Sequence, residues 1–203
     1  MTVFPVRASR AILAAALTLA ALPAAAQQLS LGQISGYLNQ LQTAQSGFTQ
    51  INADGTLQTG TLYIKRPGRV RFEYQGDESM MIAGGGQVAV FDARSNQPPE
   101  RYPLSQTPLS IILERNVDLS RSGMVTGHSS DGTTTSVTAQ DPAHPEYGNI
   151  RMVFTADPVE LRQWVVTDNG GGETTVVLND MTTGVGISDR EFNIRAEMND
   201  WQN

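Results

Sequence analysis

The chain has 203 residues, no cysteine, and 20 acidic against 14 basic residues, a formal charge of −6. The absence of cysteine excludes disulfide frameworks, lipid attachment through a thiol and thiolate metal sites. The acidic balance argues against a nucleic-acid partner and against adhesion to anionic lipid headgroups.

In chain order, the first 26 residues predict a cleaved export signal. Arg7 and Arg10 form a positive start, residues 11–22 an apolar run, and Ala24-Ala25-Ala26 a small-residue cleavage site. That run is shorter than the roughly 20 residues needed to cross a bilayer, and no later stretch is as apolar. Residues 27–203 are therefore expected to form a single, freely soluble domain in a bacterial periplasm or outside the cell, and to be monomeric. Without Arg7 and Arg10 the balance becomes 12 basic against 20 acidic residues, a charge of −8.

Ser30 followed by Gln33 forms a capping-box pattern, and Leu31, Ile34, Leu38 and Leu41 recur at helical spacing, which predicts an opening amphipathic helix. Its apolar stripe needs a surface to cover. After Ala44 the period changes to two. Leu62 and Ile64 alternate with Tyr63 and Lys65, and Val70, Phe72 and Tyr74 with Arg69, Arg71 and Glu73, as in half-buried strands. Between them Arg66-Pro67-Gly68-Arg69 predicts a type II turn and hence a hairpin. Turn signals recur at Asp54-Gly55, Gly84-Gly85-Gly86, Asp131-Gly132 and Asp168-Asn169-Gly170, and about eleven short β-rich runs fall within residues 46–194. One interruption, Thr107-Pro108 followed by Leu109, Ile112 and Leu113, predicts a short second helix with Thr107 as N-cap. The pattern is mainly β: a sandwich or barrel whose two helices can cover one opening. Its interior is either filled or kept as a cavity for an apolar ligand.

Enzyme signals are poor. Residues 127–132 resemble a nucleophile elbow, but Asp131 stands where G-x-S-x-G needs its last glycine, and the context is β-rich. His128 and His144 are far apart and read as surface residues, which leaves no metal site. The glycine runs lack the Lys-Ser/Thr ending of a phosphate loop. No catalytic residue or cofactor is expected. Arg66 has two readings: a solvated turn arginine, or a donor at a barrel mouth whose fixed fork binds backbone carbonyls of a lid. Val70, Phe72, Tyr74, Met80, Ile82, Val90, Leu109, Ile112, Leu113 and Met152 also have two, a filled core or an adaptable binding surface.

The order of motifs resembles the LolA family of periplasmic outer-membrane lipoprotein carriers. It runs from Gly47-Phe48-Thr49-Gln50 through Gly60 to Ile64, Lys65-Arg66-Pro67, the strand of Phe72 and Tyr74, and Thr107-Pro108-Leu109, to Glu191-Phe192-Asn193-Ile194. The resemblance implies an unclosed antiparallel β-barrel of about eleven strands with a helical lid. It implies Arg66 as the latch, acting on backbone carbonyls near Leu38 and near Ile112 and Leu113. It implies a lid carrying Leu38, Leu41, Leu109, Ile112 and Leu113 over an acyl-chain cavity of Leu62, Ile64, Val70, Phe72, Tyr74, Met80, Ile82, Val90 and Met152. The implied partners are acylated lipoproteins as cargo, an inner-membrane ATP-driven release complex as donor, and an outer-membrane receptor or that membrane itself as acceptor. Two departures stand out. Val70 sits where relatives can carry an aromatic, which alters the shape of the cavity, and residues 195–203 lack the Pro-Gly pattern often found there. The alternative function is a lipid-binding sensor or regulator of envelope stress built on the same barrel.

Overall fold

Residues 27–95 and 97–201 are described by a computed structural model. The predicted export signal lies outside them. Ser30 caps α1 (Leu31–Gln40) through the predicted box: its hydroxyl accepts from Gln33 N at 3.2 Å, and Gln33 Oε1 accepts from Ser30 N at 2.9 Å. Such a cap is worth about 1 kcal/mol, too little to hold so short a helix alone. Packing supplies the rest, since Ile34 and Leu38 are fully buried and Tyr37 meets Phe154 edge-on at 5.8 Å.

The sheet contains β1 (Thr43–Ile51), β2 (Leu57–Lys65), β3 (Arg69–Tyr74), β4 (Met80–Gly84), β5 (Gln87–Phe91) and β6 (Glu100–Pro103). It continues with β7 (Val125–Ser130), β8 (Thr134–Gln140), β9 (Asn149–Ala156), β10 (Val159–Thr167) and β11 (Glu173–Thr183). All neighbours are antiparallel, in the order β6-β5-β4-β3-β2-β1-β11-β10-β9-β8-β7. Phe72 on β3 nevertheless touches Trp164 on β10 edge-on, with ring centroids 6.3 Å apart, across three intervening strands. The sheet is thus rolled into a barrel, and because β6 and β7 do not pair it stays unclosed. Rolling requires close backbone approach: at Gly60 a Cβ would lie 1.9 Å from Glu73 O. Bulges between Gln45 and Gly47 and between Leu161 and Gln163 add local bends.

The hairpin at Arg66 forms, with a different turn from the one predicted. Lys65 pairs with Arg69 across a three-residue loop, in which the Arg66–Pro67 peptide is cis and Gly68 has φ 72°. The segment joining β6 to β7 carries α2 (Leu109–Leu113), whose Leu109, Ile111, Ile112 and Leu113 plug the interior. Thr107 is not its N-cap. At the 3-10 turn Leu104–Gln106, Leu104 O accepts both the Thr107 N–H at 3.0 Å and the Thr107 hydroxyl at 2.8 Å, and Pro108 takes the cap position.

A third helix, α3 (Ile194–Trp201), occupies the tail beyond the β-rich runs, to which the sequence reading assigns no element. The outer face of β4 and β5 explains it. Met80, Ile82, Ala89 and Phe91 form a second apolar cluster there, covered by Phe192 and Ile194 with Met198 and Trp201 against its edge. Met80 and Ile82, expected inside the barrel, therefore lie outside it, because two buried faces make both parities of β4 apolar. Gly84 permits the contact, since a Cβ would meet Phe192 O at 2.1 Å. Lys65 Nζ donates to Ile187 O at 2.7 Å and pairs with Asp189 at 2.6 Å. Arg71 is buried between Glu73 at 2.7 Å and Glu197 at 2.8 Å.

Candidate functional site

Arg66 opens the β2–β3 loop, and its own N–H donates to Gln42 O at 2.8 Å, which fixes the loop beside the end of α1. The residue is only 5% exposed. Its Nη2 donates to Glu114 O, at the C-terminal cap of α2, and lies 3.4 Å from Asn39 Oδ1 on α1. Gly68 N donates to Leu113 O at 2.8 Å. The orphan carbonyls of a helix end are thus shared between a guanidinium and a loop amide. Compared with the expected partners, the α2 carbonyl is one residue beyond Leu113, and the α1 partner is a side chain one residue beyond Leu38. Arg66 Nε and Nη1 are buried with no partner among the described residues. Burial pushes the guanidinium below its ordinary pKa, and the Glu114 carboxylate works in the other direction.

Asn39 was not singled out by sequence, yet it ties two elements together. Its Nδ2 donates to Val117 O at 2.9 Å and its Oδ1 accepts from Val117 N at 2.8 Å. Four residues earlier on α1, Ser35 Oγ accepts from Leu119 N at 3.1 Å. An Asn near a helix end looks solvated in the sequence, and nothing there marks a partner so distant along the chain.

Leu38, Leu41, Leu109, Ile112 and Leu113 meet Leu62, Ile64, Val70, Phe72 and Met152 in one interior cluster, with Tyr74 and Val90 against its edge. Most of this interior is filled. A cavity of about 240 Å³ remains near the N-terminal end of α2, lined by Gln50, Phe72, Tyr74, Met81, Val88, Tyr102, Thr107, Leu109, Trp164, Val166, Thr174 and Val176. Of the predicted residues, Phe72, Tyr74 and Leu109 line it, while Leu62, Ile64, Val70 and Met152 lie in close-packed core. Trp164, Val166 and Val176 were missed because they belong to β10 and β11. Their alternation was visible, but only the rolled sheet brings those strands opposite β3. Tyr74 donates to Gln50 Oε1 at 3.1 Å, and burial pushes its phenol up to about 12.

The profile of the family described as outer membrane lipoprotein carrier protein LolA matches residues 39–195. The chain belongs to the LolA family. An outer-membrane lipoprotein carrier protein from Pseudomonas aeruginosa (strain UCBPP-PA14) is 25% identical over 92% of this chain and 93% of its own length. A carrier of the same description from Azotobacter vinelandii is 26% identical over 85% and 86%. Among solved structures, a LolA superfamily protein from Nitrosomonas europaea is 11% identical, with a TM-score of 0.42 over 83% of this chain and 99% of that one. Within the LolA family frame, Arg66 and the cavity lie at opposite ends of the same short helix. No helix among the described residues is long and apolar enough to cross a membrane.

Proposed function

We propose that this protein is a periplasmic carrier that binds the acyl chains of lipoproteins released from the inner membrane and delivers them to the outer membrane. The donor is an inner-membrane ATP-driven release complex, and the acceptor is an outer-membrane receptor or that membrane itself. In this reading residues 1–26 are the export signal, residues 27–203 act as a monomeric single domain, and no catalytic residue, metal or cofactor takes part. The observation that carries the reading is the buried Arg66, which bridges α1 and the C-terminal end of α2, the helix whose other end borders a largely apolar cavity. Family membership supports it independently.

The energetics favour a latch over a permanent clamp. Each acyl methylene is worth about 0.8 kcal/mol, so three chains amount to tens of kcal/mol and do not cross water unaided. Non-covalent binding saturates near roughly −20 kcal/mol, and cargo held that firmly would not be released. A carrier needs a closed state that competes with cargo. Here α2, with Leu109, Ile112 and Leu113, occupies the space that Leu38, Leu41, Leu62, Ile64, Val70, Val90 and Met152 enclose. About 240 Å³ is free, below the roughly 300–1,000 Å³ of drug-sized sites, so loading displaces α2. The two unpaired donors of Arg66 make the closed state easy to leave, since each buried unpaired donor costs about 1–3 kcal/mol and regains water on opening.

Arg66→Leu tests the reading. The variant is expected to fold and to accept lipoprotein from donor membranes, yet fail to pass it to outer-membrane acceptors in a two-compartment transfer assay. Normal transfer would overturn the latch.

A further inference from the structure

We propose that the closed molecule accepts one unbranched hydrocarbon chain bearing an uncharged or cationic head, entering beside the N-terminal end of α2 while the Arg66 contacts stay intact. The site rests on the carrier reading for the natural source of such a chain, and on the cavity for its geometry.

Position comes first. The cavity meets the α2 region only at Thr107 and Leu109, whereas Arg66 and Gly68 hold Glu114 and Leu113 at the other end. A five-residue helix separates the two ends, about 7.5 Å of rise, so filling the cavity need not disturb the latch. Size comes second. An engineered apolar cavity of about 150 Å³ admits benzene, so in proportion the present one admits about ten carbons, a single chain segment. The free space is about 240 Å³. Its walls include Phe72, Trp164 and Val176.

The mouth decides the head. The cavity shares Tyr102, Thr107 and Val166 with an outer groove of about 480 Å³ that continues past Gln106, Tyr147 and Asp168. Among the described residues, Asp168 is the only charged one lining either space, and no Lys or Arg lines them. Its carboxylate accepts from Gly170 N at 2.8 Å and Gly172 N at 2.9 Å, which fixes it at the rim. Nearby His144 stacks on Tyr147 and is already bonded to Glu146 at 2.9 Å. Phenols, hydroxyls and amides at this rim suit a neutral head. An anionic head would face Asp168 with no cation to offset it.

Because Trp164 lines the cavity and Trp201 lies on α3, Trp201→Phe leaves one tryptophan as reporter. In that background the chain is titrated with n-decyl maltoside, decyltrimethylammonium and decanoate, each below its micellar concentration, while the Gly68 amide is followed by hydrogen exchange. The maltoside and the ammonium are expected to bind one per chain with Gly68 protection unchanged, and decanoate about tenfold more weakly, a difference of about 1.4 kcal/mol. Asn169→Lys, at the exposed rim, should shift preference toward decanoate by about fivefold to tenfold. More than one chain bound, loss of Gly68 protection on binding, or decanoate bound as tightly as the maltoside would overturn the proposal. A protein that binds decyl maltoside this way yet cannot take up lipoprotein removes the carrier reading and leaves this site. One that transfers lipoprotein but ignores decyl maltoside removes this site alone.

Discussion

Arg66 is buried, but only one of its guanidinium nitrogens finds partners among the described residues. An incompletely paired buried charge is a poor source of stability, and an apolar residue of similar volume is often neutral or better. Arg66→Leu is therefore expected to melt at or above the wild-type temperature in calorimetry. Asn39→Ala should do the reverse. It strands both backbone groups of the buried Val117 and should lower stability by about 1–3 kcal/mol in denaturant titration. Tyr74 gives a pH signature. Its phenol is pushed up to about 12 by burial, from the ordinary 10.0. The folded chain thus holds this proton more tightly than the unfolded chain, so the contribution is complete below pH 10.0 and is lost as pH rises toward about 12. Across that window wild type should lose more stability than Tyr74→Phe.

At the level of elements, α3 hangs on one close approach. Gly84→Ala would put a Cβ 2.1 Å from Phe192 O, so the 3-10 turn Asp189–Phe192 must move away, at a cost of about 1–3 kcal/mol. The expected readout is faster hydrogen exchange across α3 and altered emission from Trp201, which packs on Phe91 with ring centroids 5.3 Å apart. Emission from Trp164 should not change. The same region marks where the sequence stopped being informative. Capping and period disclosed α1, the β2–β3 hairpin and the number of strands, because those signals are local. Period two says that β4 has two faces without saying which is inside. With Met80, Met81, Ile82 and Ala83 all apolar, parity carries no contrast, and only the docking of Phe192 and Ile194 puts Met80 and Ile82 on the outer face. Arg71 and Glu73 looked like solvent-facing partners of Phe72, because nothing local announces a helix arriving from more than a hundred residues away. Arg66 was legible as a donor. Its real partners, Glu114 O and the Asn39 amide, depend on how two elements dock, and so does the placement of Trp164 opposite Phe72.

For the molecule as a whole, the consequential feature is the gap between β6 and β7. Those two strands are also consecutive in the chain, and the segment between them carries α2. The sequence has no native cysteine, so spin labels placed through Arg101→Cys on β6 and Ser129→Cys on β7 report the gap directly. Lipoprotein loading is expected to shift the distance distribution to longer values and Arg66→Leu to broaden it, whereas a single decyl chain should leave it unchanged. Because α2 is covalently leashed to both lips of the opening, it is a captive stopper: it can swing or be stretched aside, but it cannot drift off or be left behind. Gap width, stopper position and available volume then vary along one mechanical coordinate, and a partner that pulls on either lip thereby sets how much hydrocarbon the interior can hold.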